Sequence, residues 1–308
     1  MNRFTRAAMA AAVAAVTLTM APAAFAQQQD FNAAQVKVTD LGKDTYLLEG
    51  IGGNVTVAAG KDGVIMVDGQ FAPMHDKLKA AIDALTGQPV KYLVNTHFHG
   101  DHVGGNAPFA RDGAVVFTHE NIAKRLGGGA IDRRTGAKVP AVEKDAMPKR
   151  TYKSGVQTLA VGGRTAKVGH PPNAHTDGDS YVYFADANVL ATGDIMSYGN
   201  RYPLVDYQNG GSINGLISAV DGYLKIANDR TKIVPGHGPV ANKITLGSYR
   251  LLLITARDRV ARSMGEGKSE QQVVDEKLLA DMEKQWGTTS QQSDDFVKAI
   301  YASLKQSK

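Results

Sequence analysis

From residue 45 onward the chain alternates apolar and polar side chains over short runs bounded by glycine. This pattern predicts strands over Thr45–Glu49, Asn54–Ala59 and Gly63–Val67. Lys61-Asp62-Gly63 supplies the turn between the last two, so the fold opens on a β-meander. Leu78, Ala81, Ile82 and Leu85 then recur at helical spacing within Asp76–Leu85, and Gly87 and Pro89 stop that helix. The run Lys91–Thr96 reads as a buried strand, Ala114–Phe117 as another, and Glu120–Leu126 as a helix. Gly127-Gly128-Gly129 opens an irregular stretch reaching Tyr152, long enough to suggest a functional loop or lid.

A second round follows. Strands are predicted over Val156–Val161, Thr165–Val168, Tyr181–Ala185 and Val189–Thr192, then a helix over Ser212–Ile226 with Ser212 as its N-cap. Lys232–Val234 is the last strand. From Gly247 the text turns helical, through Leu251, Leu252, Ile254, Ala256, Val260 and Met264, and Phe296–Leu304 closes the chain. Two successive blocks of strands and helices predict an α+β fold of two packed sheets with helices outside. The expected organisation is a lead-in over 27–44, a main domain over 45–246 and a helical extension over 247–308.

The first 26 residues stand apart from this scheme. A basic start (MNRFTR), an apolar run of about 14 residues and the small-residue ending Ala24-Phe25-Ala26 form the pattern of a secretory signal peptide, with cleavage expected before Gln27. The run is too short to span a bilayer, so a periplasmic or secreted chain without stable membrane insertion is expected. Losing Arg3 and Arg6 lowers the basic count from 35 to 33 against 30 acids. The remaining cations are scattered, which argues against nucleic acid as a partner and leaves a small-molecule substrate. The chain has no cysteine, which excludes disulfides and thiolate ligands, so any metal must be held by nitrogen and oxygen.

Such a site has an evident candidate. The stretch NTHFHGDHVGGN places His97, His99 and His102 within six residues, with Asp101 among them. Histidines two apart at a strand end point to one side of the pleat, so His97 and His99 can grip one cation while Phe98 faces the core. Gly100 permits a sharp turn, after which Asp101 and His102 could reach a second cation.

His97, His99, Asp101 and His102 match the H-x-H-x-D-H signature, and the chain thereby resembles the metallo-β-lactamase superfamily. Three later stretches fit that resemblance in order: NAHTDGDSYVYF with His175, LATGDIM with Asp194, and IVPGHGPV with His237. His170 competes with His175, and the following Thr-Asp-Gly-Asp favours the latter. His75 and His119 match no motif. The resemblance implies a four-layer αββα sandwich with a C-terminal helical extension, and a dinuclear site. His97, His99 and His175 would hold one metal, Asp101, His102 and His237 the other, and Asp194 would bridge both. It further implies two Zn²⁺, with iron or manganese as alternatives, and hydrolysis by a metal-bridging hydroxide made at neutral pH because coordination lowers the pKa of water toward about 7. Asp101 and Asp194 would be the catalytic carboxylates. Asp68, ending the strand VIMVD, either resembles a buried aspartate that braces the histidine loop or is a turn residue.

An aspartate at position 194 is similar to glyoxalase II, the N-acyl-homoserine lactonases and other dinuclear hydrolases, whereas many true metallo-β-lactamases have cysteine there. His99 argues against the flavodiiron branch; the mononuclear persulfide dioxygenases are harder to separate. The expected substrate is therefore of acyl type: a β-lactam, lactone, ester or thioester. The alternatives are a periplasmic zinc-binding or scavenging protein without turnover and a glyoxalase II-like thioester hydrolase, the latter disfavoured by export because its glutathione thioester is mainly cytosolic. In the segment GNRYPLVDYQNGGS, Tyr198 or Tyr202 could hydrogen-bond an oxyanion or simply pack, and Arg201 could meet a substrate carboxylate.

Overall fold

Seven strands lie side by side in chain order to form the first sheet of the computed structural model, which describes residues 30–306. The signal-peptide reading of residues 1–26 lies outside the described residues. The strands are β1 (Lys37–Gly42), β2 (Thr45–Glu49), β3 (Val55–Ala59), β4 (Val64–Val67), β5 (Val90–Val94), β6 (Val115–His119) and β7 (Arg150–Tyr152). β1 to β4 pair antiparallel as a meander, and β4 to β7 run parallel. The second sheet has the order β12-β11-β10-β9-β8. Its strands are β8 (Gln157–Val161), β9 (Arg164–Gly169), β10 (Tyr181–Phe184), β11 (Val189–Ser197) and β12 (Lys232–His237), with β11 and β12 parallel.

Alternation along the strands explains the layering. Ile65 and Val67 of β4 enter a core shared by both sheets, together with Phe117, Val168, Val182 and Val189. Their neighbours Val64 and Met66 face the other way, against Leu78 and Ile82 of α1 (His75–Thr86). A period of two puts successive side chains on opposite faces, so a strand buried on both sides is apolar throughout. The outer face of the second sheet is covered by α5 (Ile213–Ile226), α6 (Lys243–Gly265), α7 (Glu270–Asp275), α8 (Ala280–Trp286) and α9 (Ser290–Gln306). Leu190 and Met196 of β11, Leu216 and Val220 of α5, Leu252 of α6 and Phe296 of α9 share one core. The result is helices, sheet, sheet, helices, with the C-terminal helices built onto the fourth layer.

The structure departs from expectation in particular places. β1 forms inside the expected lead-in, because pairing with β2 orders a segment whose own residues are mostly exposed. β7 ends the irregular stretch as a third parallel partner beside β6. A short helix, α3 (Asn106–Arg111), follows α2 (Gly100–Val103). After α4 (Glu120–Lys124) the chain makes a π turn over Arg125–Gly129. β11 and β12 run beyond the expected Thr192 and Val234, to Ser197 and His237. Ser212 does cap α5 by accepting from Gly215 N, while α6 begins at Lys243 with Asn242 as its cap.

Candidate metal centre

The C-terminal ends of β4, β5, β11 and β12 converge on one edge where the two sheets meet. Asp68 follows β4, His97 and His99 follow β5, α2 carries Asp101 and His102, Asp194 lies in β11 and His237 ends β12. His175 comes from the loop between β9 and β10. Phe98, between the two histidines, is buried against Val103, Ile122 and Leu126.

These residues fall into two adjoining groups. Donor atoms of His97, His99, His175 and Asp194 all lie within 4.8 Å of one another, and so do those of Asp101, His102 and His237. Asp194 faces both. Its Oδ2 is 3.9 Å from Nε2 of His97 and of His175, and its Oδ1 is 3.4 Å from His102 Nε2 and 3.5 Å from His237 Nε2. Asp101 Oδ2 lies 3.1 Å from His237 Nε2. Gly193 makes this placement possible. It has φ +53°, and a Cβ there would stand 2.5 Å from Thr96.

Hydrogen bonds on the outer side of the rings decide which nitrogen points inward. His97 Nδ1 donates to Thr96 Oγ1, which itself donates to Asp68. His99 Nε2 donates to Asp206, His102 Nδ1 to Asp68 and His175 Nδ1 to the Leu204 carbonyl. Four imidazoles thus carry their protons outward and turn lone pairs into one space. His99 Nδ1 and His175 Nε2 stand 3.1 Å apart, and His102 Nε2 and His237 Nε2 3.4 Å apart. His97 Nε2 and Asp194 Oδ1 are buried without a hydrogen-bond partner. Facing lone pairs and orphaned buried acceptors are costly unless a cation satisfies them, so the donor set fits divalent metal.

Electrostatics agree. Burial, reinforced by the neighbouring imidazoles of His102, His175 and His99, holds His97 well below the usual histidine range. Burial and His99 lower His175 to about 4. At His102 burial works in the same direction, but the carboxylates of Asp194, Asp68 and Asp101 outweigh it and raise the group to about 10. Those three carboxylates are the charges that a bound divalent cation would balance. For Asp101 and Asp194 burial opposes ionisation, yet His237 and His102 hold both below the ordinary carboxylate value.

Asp68 is a buried brace. Its Oδ1 accepts from Thr96 N at 2.7 Å, and its Oδ2 from Thr96 Oγ1 at 2.7 Å and His102 Nδ1 at 2.8 Å. Its φ of +63° is a conformation that non-glycine residues rarely adopt, and the three bonds offset that strain. Sequence reasoning passed over Asp206. This carboxylate accepts from both His99 and Asn209, and Asn209 also bonds the backbone N–H and carbonyl of Ile131, at the base of the 127–152 stretch. The single acid in the stretch GNRYPLVDYQNGGS was the available signal.

The chain belongs to the metallo-β-lactamase superfamily. That family's profile matches residues 48–237, more than half of the chain. The chain is similar to a hydroxyacylglutathione hydrolase of Synechococcus sp. (strain JA-3-3Ab), 31% identical over 131 residues, 41% of each chain. It is also similar to the 2,4-dinitroanisole O-demethylase subunit alpha of Nocardioides sp. (strain JS1661), 26% identical over 148 residues, 47% of this chain and 42% of that one. The alignments therefore span about two fifths of these relatives' own length. The fold matches a metallo-β-lactamase from Pontibacter korlensis with TM-score 0.59 and 22% identity, covering 71% of this chain and 99% of that one.

Both tyrosines expected on the substrate side have partners outside the two ligand groups. Tyr202 is packed: its ring stacks on Phe296 at 5.0 Å, and its hydroxyl faces Ser293. Tyr198 donates its hydroxyl to the Pro239 carbonyl. Arg201 is exposed on a cleft of about 610 Å³, which Arg133, Lys298 and Phe296 also line and whose wall includes Asp206. His170 stacks on His119 at 3.8 Å and lies in neither ligand group.

Proposed function

We propose that this protein is an exported dinuclear metallohydrolase that cleaves an acyl-type small molecule. One observation carries the reading: the two carboxylate oxygens of Asp194 each face a different pair of histidines, the arrangement a bridging ligand requires. His97, His99 and His175 would hold one cation, and Asp101, His102 and His237 the other, with Asp194 common to both. Bound divalent cations, zinc above all, supply Lewis acidity and make water acidic enough to attack near pH 7.

The chain's own residues do the rest. Asp101 is partly exposed at the mouth of the centre and ionised at neutral pH, so it can orient the attacking water and take its proton. Asp68 and Asp206 keep His102 and His99 in the tautomers that face inward. The cleft bearing Arg133, Arg201 and Lys298 offers cationic groups to a substrate with a carboxylate.

The relatives' names widen the substrates worth trying: a glutathione thioester and a nitroaryl methyl ether stand beside a β-lactam and a homoserine lactone. The test uses protein whose N-terminus has been sequenced after export, with Gln27 expected first. Elemental analysis should find about two metal ions per wild-type chain and about one in Asp194→Ala, with most turnover lost in the variant. Unchanged stoichiometry in Asp194→Ala would remove the bridging role, and tight metal binding with no turnover on any of the four substrates would favour a metal-binding protein.

A further inference from the structure

Between β2 and β3 the chain runs as a strap, Gly52-Gly53-Asn54, across the side of the centre that carries Asp101, His102 and His237. Gly53 N donates to the Asp101 carbonyl at 3.0 Å. A Cβ on Gly53 would stand 2.2 to 2.7 Å from three ring atoms of His102, so only glycine lets the backbone lie against that imidazole. Asn54 then reaches the other sheet. Its backbone N–H donates to Gly236 O at 2.8 Å, and its Nδ2 donates to Pro235 O and Gly238 O, each at 2.9 Å. An amide nitrogen has two protons, and both are used.

Those three carbonyls bracket His237 in the chain. The other four imidazoles of the centre are steadied by a hydrogen bond from their outer nitrogen, but among the described residues none holds Nδ1 of His237. The position of His237 therefore rests on its backbone, which ends β12 and is held to the second sheet by Tyr198 N donating to the His237 carbonyl. We infer that Asn54 is a positioning residue for His237: its three hydrogen bonds tie the end of β12 to the first sheet and hold His237 in register with Asp101 and His102. The inference rests on the two-cation reading and assigns Asn54 to one half of the centre.

The consequence is selective. Without the staple the His237 turn loses its tether to the first sheet, while His97, His99 and His175 keep every bond that orients them. Zinc alone is titrated into metal-free wild type, Asn54→Ala and Asn54→Ser in competition with a chelating dye, and melting of each metal-free protein is recorded. For Asn54→Ala the second equivalent should bind at least about tenfold more weakly, with the first within about threefold of wild type. Asn54→Ser, which keeps one short donor, should fall between. Equal weakening of both equivalents, no change in either, or failure of both variants to fold would overturn the inference, because the staple would then serve the fold at large. Wild type that takes up fewer than two equivalents would overturn the two-cation reading itself, and that result is visible without the variants.

Discussion

At the scale of single residues, the protein's chemistry depends on which ring nitrogen each histidine turns inward. For three of the four rings that choice is made by neighbours remote in sequence: Asp206 is 107 residues from His99, Asp68 is 34 from His102 and Leu204 is 29 from His175. A motif can show that a histidine is present but cannot show its tautomer, which is why the seven candidate ligands were legible in short strings while Asp206, Asn209 and Asn54 were not. Replacing Asp206 by alanine removes the acceptor on His99 Nε2 and one of the two acceptors of the Asn209 amide nitrogen. The variant is expected to bind zinc roughly 10- to 100-fold more weakly, measured by chelator competition, with the loss falling on the first equivalent. Asn54 and Asp206 would then separate the two halves of the centre.

At the scale of elements, strands buried on both faces announced themselves as apolar runs, and α5 announced itself by helical spacing with a serine cap. β1, β7 and α3 did not, because their residues are ordered by partners rather than by their own pattern. The ends of β11 and β12 were also hidden. Gly193 and Gly236 read as loop chemistry, yet in the structure they let two strands carry Asp194 and His237 to the edge. Packing of the fourth layer is testable apart from the metal. Leu216 of α5 is fully buried against β11 and α6, so Leu216→Ala should cost about 2–5 kcal/mol in denaturant unfolding, with zinc affinity in the folded protein unchanged.

At the scale of the whole molecule, the centre sits where the edges of two sheets meet, and its donors come from both. Cations held there would tie the sheets together and would stabilise only the folded chain. Occupancy of one site at a hundredfold excess over Kd contributes about 2.7 kcal/mol. Stripping both sites with a chelator should lower Tm by roughly 10 °C in a chain of this size, and readdition of zinc should restore it, as calorimetry would record. An unchanged Tm would mean that no cation bridges the sheets.

The sequence by itself determined the layers, the family resemblance and the seven candidate ligands, because periodicity and short motifs act over a few residues and leave a direct imprint on the text. Only the tertiary structure decided that Asp194 faces both groups, that Asp68 and Asp206 orient the rings, and that Asn54 holds the turn of His237. Each of those depends on atoms a few ångströms apart in space and tens to nearly two hundred residues apart along the chain, a distance over which no local pattern carries information.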